Sequence, residues 1–499
     1  MFRKSWLVVL LVLAVTFAGF SMVGAQTLTV AQGADPVTLD PHGQNDQPSA
    51  RVRAQIFETL VNHGYSLEIV PGLAKSWEQI DEVTWEFKLQ ENVKFHNGDD
   101  FTAADVKYSF ERIKELPSPA AFLIDEVKEV VVIDDYTVQI VLKQPFAPIL
   151  AHLAHPSNAI VNKRSVEEAG DNFGSQVAIG TGPFEFVEWV AGSHVELRRN
   201  ENYWGEPAKV EKVIIRGIPE NTVRAIELET GGVDIAYNID PVDEFRLTGA
   251  PGIKLDKYET LSTSYIGFNV QKEPFDNPLV RKAINHALDV QAIADFIYTG
   301  QASPVTGPLP PLVWGSKTDL PEYEYNPEKA KALLAEAGYP NGLSLKMRSN
   351  SESEITSLIQ EQLRQGGINV VMELAEMPVH FEGLARGDFD MYVSSQQFGY
   401  YTETVRTLDG IKYDYRDVMG GSGYKNEEFS AIAARAYAAV DMDERRDAYA
   451  ELQQHVRENY ASIGLYTNVG LLVSRSDLEG FELFGVGVVD MSNLTSLKQ

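Results

Sequence analysis

Two α/β lobes carrying a mixed, mostly antiparallel insertion are the fold that three features of this 499-residue sequence predict. Two of the features are echoes of one plan. Lys212 to Asn238 reads as a strand (Val213 to Ile218), a helix opened by Asn221 with Val223, Ile226 and Thr230 at helical spacing, a Gly231-Gly232 stop, and a second strand from Val233 to Ala236. Ile368 to Ser395 repeats it: a strand to Leu374, a helix around Phe381 to Ala385 ended by Gly387, and a returning strand from Phe389 to Val393. Strand, crossover helix and strand make a right-handed βαβ unit with a parallel pair. Two such units, about 155 residues apart, predict two lobes rather than one extended sheet. The third feature lies between Arg51 and Gly174, where Val130 to Ile133 and Thr137 to Leu142 flank Asp134-Asp135-Tyr136 as a tight hairpin. Length agrees, since a prior of roughly 150 residues per domain suggests about three.

Within the insertion, Trp85, Phe87 and Leu89 alternate with Glu86, Lys88 and Gln90, and Val93 and Phe95 resume the alternation, which predicts two half-buried antiparallel strands. After His96-Asn97-Gly98 the period changes. Thr102 and Asp105 form a T-x-x-D capping box, and Val106, Phe110 and Ile113 recur at helical spacing. A further packing helix runs from Pro327 to Ala337, with Asn326 as cap and Gly338 as terminator. The segment SPVTGPLPP, 303–311, is expected to cross the surface in extended form, because proline cannot donate to an inner ladder.

Residues 1–25 read as a cleavable signal peptide: Arg3 and Lys4 are basic, Trp6 to Ala18 is apolar, and Val23-Gly24-Ala25 precedes Gln26 as a small-residue cleavage site. An uncleaved anchor is the other reading, but Thr16, Gly19 and Ser21 break the run short of the ~20 residues a span needs. There is no cysteine, which excludes disulfides, thiolate metal sites, thiol nucleophiles and a lipid-modified N-terminal cysteine. The formal charge of −28 becomes −30 when the two cations of the signal leave, arguing against nucleic acid and anionic lipid as partners. No H-E-x-x-H, G-x-S-x-G or Walker loop is present, and Gly420-Gly421-Ser422-Gly423 has the wrong spacing for a nucleophile elbow. Neither an enzyme nor a cofactor is expected.

In open α/β sheets ligands sit beyond the carboxyl ends of the strands. That rule makes Tyr237 and Asn238, and Ser395 through Arg406, candidates for a binding site, with ordinary surface loops as the alternative.

The block Trp85 to Ile113 resembles the signature of the family 5 extracellular solute-binding proteins, the peptide and dipeptide receptors of ABC importers. The likeness extends from about residue 27 to 480. Thr38-Leu39-Asp40-Pro41-His42 with Gln55 to Val61 is similar to the family's N-terminal strand and first helix, Ala178 to Gly205 to the return into the first domain, and Ser264 to Asp289 to the crossing into the third. The resemblance implies a periplasmic binding protein-like fold. Its first domain would comprise 26–50, 175–260 and 470–499, its inserted second domain 51–174 and its third 261–469, with a hinge at the crossings near 259–265 and 467–473. It also implies a monomeric periplasmic receptor, not a lipoprotein, that captures a small solute between the lobes and delivers it to the transmembrane subunits of an ABC permease.

Peptide-binding relatives carry a Trp-containing segment with an Asp for the peptide's amino group after the third domain's returning strand. Here the stretch is SSQQFGYYTETVRTLDG, 394–410. Phe398 takes the Trp place and Tyr401, Thr402 or Thr404 stands where Asp is expected, with Glu403 or Asp409 as substitutes and Arg406 adding a positive charge. Gln396, Gly399 and Tyr400 complete this wall; its aromatic rings suit an apolar side chain or a sugar face. On the opposing lobe, Asn45, Asp46 and Gln47 fall in the loop with which relatives contact ligand main chain, a capped loop before an Ala50 to Val61 helix being the alternative. Arg348 stands near where some relatives hold a carboxylate; a surface arginine is the other reading. Short oligopeptides are therefore the leading ligand class and an oligosaccharide or other polar solute the second. A nickel receptor using His152 and His155 is a remote third, because two histidines fall short of a full ligand set.

Overall fold

A computed structural model describes residues 27–44, 46–64, 68–118, 120–298, 302–349, 354–375, 379–380, 383, 386–397, 427–439, 441–480 and 489–496. The expected signal segment therefore lies outside the described residues, as do 381–382 and 384–385 of the expected second crossover helix.

Both strand–helix–strand echoes are present with one correction to their pairing. Lys212–Gly217 and Ile235–Tyr237 do not touch: Thr27–Gln32 lies between them, parallel to both, with Val30 opposite Ile215 on one side and Ile235 on the other. In the second unit Leu343–Ser349 lies in the same way between Ile368–Leu374 and Met391–Gln397. A helix about 10 Å across covers two strand spacings of about 4.8 Å, so a crossover over one helix leaves room for a strand beneath it. The first crossover helix is Asn221–Glu229 with Glu220, not Asn221, at the cap.

The two units are not separate sheets. Among the described residues, eleven strands share one hydrogen-bonded network, joined in its middle by the antiparallel strands Ile253–Phe268 and Ser462–Arg475. Ile235–Tyr237 pairs with the 472–474 end of this pair, and Met391–Gln397 with the 262–268 end. Between them the register slips, at Glu259/Thr263 and again at Ser264/Tyr265. The slip frees carbonyls, and the Thr467 hydroxyl donates to those of Ser262 (2.6 Å) and Thr260 (3.3 Å).

In the insertion, four strands run in the order Ala74–Asp81, Thr84–Leu89, Thr137–Leu142, Val127–Asp134, all antiparallel. Trp85, Phe87 and Leu89 pack inward with Val106, Phe110 and Ile113 of the helix Ala103–Glu115. The Asp105 carboxylate accepts the Thr102 backbone N–H at 3.0 Å, the T-x-x-D contact read from the sequence. The second strand expected at Val93 and Phe95 is absent. Only an isolated bridge, Lys94 to Asp100, forms there, since the chain turns at Gly98 (φ +88°) and the His96 N–H leaves to donate to the Gly180 carbonyl. The Pro-rich segment also departs from expectation. Ala302–Pro304 pairs with Ser462–Arg475, and Val305, Leu309 and Pro310 are buried, so it is a packed strap rather than a surface crossing. Gly464 permits this: a Cβ there would stand 2.6 Å from the Gly307 carbonyl oxygen. The helix Pro327–Glu336 forms as read, with Asn326 Oδ1 accepting the Lys329 N–H at 3.0 Å.

One charged clasp fastens the insertion to the first lobe. Arg112 donates to both carboxylate oxygens of Asp40 (2.9 and 2.6 Å) and to His42 Nδ1 (2.8 Å), while His42 Nε2 donates to the Ala159 carbonyl (3.0 Å). That arrangement requires a neutral imidazole. Burial, opposed by Asp40 and reinforced by Arg112, lowers the His42 pKa from 6.5 to about 4. Between those values the unfolded chain binds a proton that the folded chain refuses, so stability is full above pH 6.5 and is lost as pH falls toward 4. His96 and His155 are lowered by burial in the same direction. His42→Asn is therefore expected to remove on the order of 3 kcal/mol from the acid-induced loss, measured by urea unfolding across this range. A slope identical to that of the parent would show that His42 titrates normally.

Candidate functional site

The carboxyl ends of Thr27–Gln32, Lys212–Gly217 and Ile235–Tyr237 form one edge of the first lobe, and buried arginines organise it. Arg224 is 1% exposed. Its guanidinium donates to the carbonyls of Ile218 (2.5 Å), Pro219 (3.0 Å), Tyr237 (2.8 Å) and Asn238 (2.5 Å), and to Asn221 Oδ1 (2.5 Å). One side chain thus ties together the loops that follow two strands. Asn238 adopts φ +55°, a left-handed conformation that asparagine tolerates better than most residues, and is exposed. Tyr237 is buried beneath it, with the Arg51 guanidinium 3.8 Å from its ring centre, and burial raises its phenol to about 12.

Arg51 comes from the helix Gln47–Ile56, which starts earlier than the Ala50 expected from the sequence. Asp46 caps it, accepting the Ser49 N–H at 2.9 Å, and Pro48 stands in the first turn. Gln47 is accordingly a helical residue rather than part of the loop. The helix start abuts the strand edge, where Gln32 Nε2 donates to the Pro48 carbonyl at 3.3 Å. A third buried arginine, Arg53, donates to the carbonyls of Asp40 (3.1 Å), Pro41 (3.4 Å) and Gln44 (2.7 Å) and holds the loop that leads to Asp46.

The structure therefore brings Asp46, Gln47, Tyr237 and Asn238 to a common edge. From the other lobe, Gln396 is opposite Thr263 in the ladder, next to the register slip. Arg348 lies on the strand Leu343–Ser349, opposite Tyr392 and Glu373, and donates to the Asp388 (2.9 Å) and Val379 (3.4 Å) carbonyls. Asn45, Phe398, Gly399, Tyr400, Tyr401, Thr402, Glu403, Arg406 and Asp409 lie outside the described residues. His152 and His155 are buried and engaged with backbone: His152 Nδ1 bonds the Leu123 carbonyl at 2.9 Å, and His155 Nδ1 accepts the Ser157 N–H at 3.1 Å.

Sequence reasoning missed Arg51, Arg53 and Arg224. A signal existed only for Arg224, which falls four residues before Leu228 on the stripe that the helix buries.

Residues 68–414 match the family described as bacterial extracellular solute-binding proteins, family 5, middle region. The chain belongs to this family. Among curated relatives of this family 5 protein, the glutathione-binding protein GsiB of Salmonella paratyphi A is 32% identical over 487 residues, covering 94% of each chain. GsiB of Escherichia coli K12 is 32% identical over 478 residues, covering 92% of each. Among solved structures, the periplasmic binding protein DppA of Helicobacter pylori in complex with the peptide STSA is 29% identical. It has a TM-score of 0.79, with 95% of this chain and 98% of that one covered. The fold is accordingly that of the periplasmic binding proteins, two α/β lobes and an insertion. Among the described residues of this family 5 protein, no helix is long and apolar enough to cross a membrane.

Arg224→Ala would leave the buried carbonyls of both loops without their charged donor and is expected to destabilise the protein by about 3 kcal/mol. Arg224→Lys, which cannot span both loops, should weaken solute binding about tenfold at a smaller stability cost, read by calorimetry and thermal unfolding. Unchanged affinity in a folded Arg224→Lys variant would separate these loops from the site.

Proposed function

We propose that this protein is a periplasmic receptor that closes its two lobes on a short peptide and presents it to the transmembrane subunits of an ABC importer. The observation that carries the reading is the near full-length likeness to glutathione-binding relatives, glutathione being itself a peptide. The likeness to DppA holding the peptide STSA points the same way. The protein acts by binding, without catalysis or cofactor, as a monomer released by cleavage after Ala25. With no cysteine to carry lipid it is free in the periplasm.

In this reading Asn45, Asp46, Gln47 and Asn238 form one wall of the cleft, and the buried Tyr237, expected from the sequence as a contact, supports that wall from beneath. Arg348, Gln396, Phe398, Gly399, Tyr400, Tyr401, Thr402 and Arg406 form the other. Three strand edges that end beside polar side chains suit a ligand rich in amides, which needs donors and acceptors at short intervals. Binding is coupled to closure, so affinity depends on how far the closed form is populated without ligand. Either Glu403 or Asp409 supplies the counter-charge for the peptide's amino group, because an unpaired buried ammonium costs several kcal/mol.

Native mass spectrometry of the purified protein, followed by denaturation and identification of the released solute, tests the ligand class. Peptides are the expected result; a sugar, or thermal stabilisation by sugars alone, would overturn it in favour of an oligosaccharide receptor. Asn45→Ala and Tyr400→Ala should each lower peptide affinity while leaving the unfolding transition in place, and unchanged affinity in both would remove them from the site.

A further inference from the structure

The short helix Pro241–Leu247 buries Leu247 in the core but turns its other two large apolar residues to solvent. Val242 is 79% and Phe245 88% exposed, whereas Asp243 and Glu244 are buried at 6% and 8%. The buried carboxylates are held by Arg246, through Asp243 Oδ1 at 2.8 Å, and by Lys257, through Glu244 at 2.8 Å. A helix that serves only its own fold turns its apolar residues inward, and here only Leu247 does so, while two ion pairs hold the carboxylates in and leave Val242 and Phe245 outside. The neighbouring helix Asn221–Glu229 adds Val223 and Ile226, 43% and 48% exposed, so two adjacent helices each present an apolar pair to solvent.

The position and the charge of this surface identify what covers it. Both helices start at the carboxyl edge that holds Tyr237 and Asn238, the second of them capped by Asp240 only two residues after Asn238. A surface at the mouth of the cleft is where a solute passes from one protein to the next. Its rim is mainly acidic: Glu220 and Asp240 stand at the N-cap positions of the two helices, and the exposed Arg246 beside Phe245 is already paired with Asp243 and Glu229. An apolar patch with an anionic rim calls for a partner that offers apolar side chains flanked by Lys or Arg.

We infer that Val223, Ile226, Val242 and Phe245 form the docking surface of the first lobe for a periplasmic loop of the importer's transmembrane subunit, a loop with apolar residues between basic ones. The inference rests on the receptor reading given above.

The test places a photo-reactive benzoylphenylalanine at position 245, and as a control at exposed Ile133 on the insertion hairpin, in cells that depend on the protein for solute uptake. A light-induced cross-link from position 245, but not from 133, to a polypeptide identified by mass spectrometry as an ABC-importer transmembrane subunit is the expected result. A cross-link to a second copy of the chain, to residues 261–469 of the same chain, or to nothing would overturn it. In parallel, Phe245→Asp should reduce uptake at least tenfold while the purified variant binds the solute released from the parent protein with unchanged affinity. Normal uptake by Phe245→Asp refutes the docking surface alone. If cells carrying the unaltered protein show no uptake that depends on it, the receptor reading itself fails.

Discussion

The pairing of Ile253–Phe268 with Ser462–Arg475 is the constraint on which the rest of the molecule depends. Each lobe hangs its returning strand on one end of this pair: Ile235–Tyr237 on one, Met391–Gln397 on the other. Two strands that pass from one α/β layer to the next hold the lobes together through backbone hydrogen bonds, whatever their side chains. The register slip between the two ends is where the pair can bend, since an irregularity of this kind raises local twist and weakens the ladder over a few residues. The Thr467 hydroxyl bridging two carbonyls keeps that weak point from carrying unpaired polar groups. Beside the slip the pair is closely packed: Gly470 lies under the Tyr258 ring so tightly that a Cβ would approach to 2.2 Å.

Buried arginines are used here as splints for irregular backbone. Arg53 and Arg224 each satisfy several carbonyls of loops that have no ladder of their own, and Arg281 does the same for Phe275, Asn459 and Tyr460 in the second lobe. A planar fork of five donors can fix a loop that would otherwise be conformationally free. The loops held in this way by Arg53 and Arg224 lead directly to Asp46 and to Asn238, so the placement of candidate ligand contacts is inherited from groups that do not themselves face the cleft. The insertion is fixed differently, through one nearly buried ion pair and a neutral histidine, and that junction responds to acid.

Local signals were readable where the interactions are local. The T-x-x-D cap at Thr102, the helix from Asn326 and the hairpin around Asp135 depend on residues a few positions apart, and all three stand as read. The sequence was silent where the partner is distant. Nothing near Lys212 announces that Thr27–Gln32 will insert beside it, and nothing in SPVTGPLPP announces that Gly464 makes room for it. The turn at Gly98 overrode an alternation that continued to Phe95, and the His96 N–H bonds the Gly180 carbonyl, far along the chain, instead of a neighbouring strand. For the candidate site, the carboxyl-edge rule singled out Tyr237 and Asn238, which lie at the end of the strand Ile235–Tyr237, the first buried and the second exposed. The arginines beneath them escaped notice since their acceptors are carbonyls, which every residue carries and no composition reveals.

The strand order has a consequence for biogenesis. The first lobe's sheet takes adjacent strands from Thr27–Gln32, from Lys212–Tyr237 and from the 472–475 end of Ser462–Arg475. Its innermost strand is thus the first to be synthesised but finds both its neighbours only after Tyr237, and one of those neighbours, Ile235–Tyr237, needs nearly the whole chain to complete its own pairing. A lobe wired this way stays open while ribosomes and export machinery are still handling the polypeptide. That delay is written into the order of the strands.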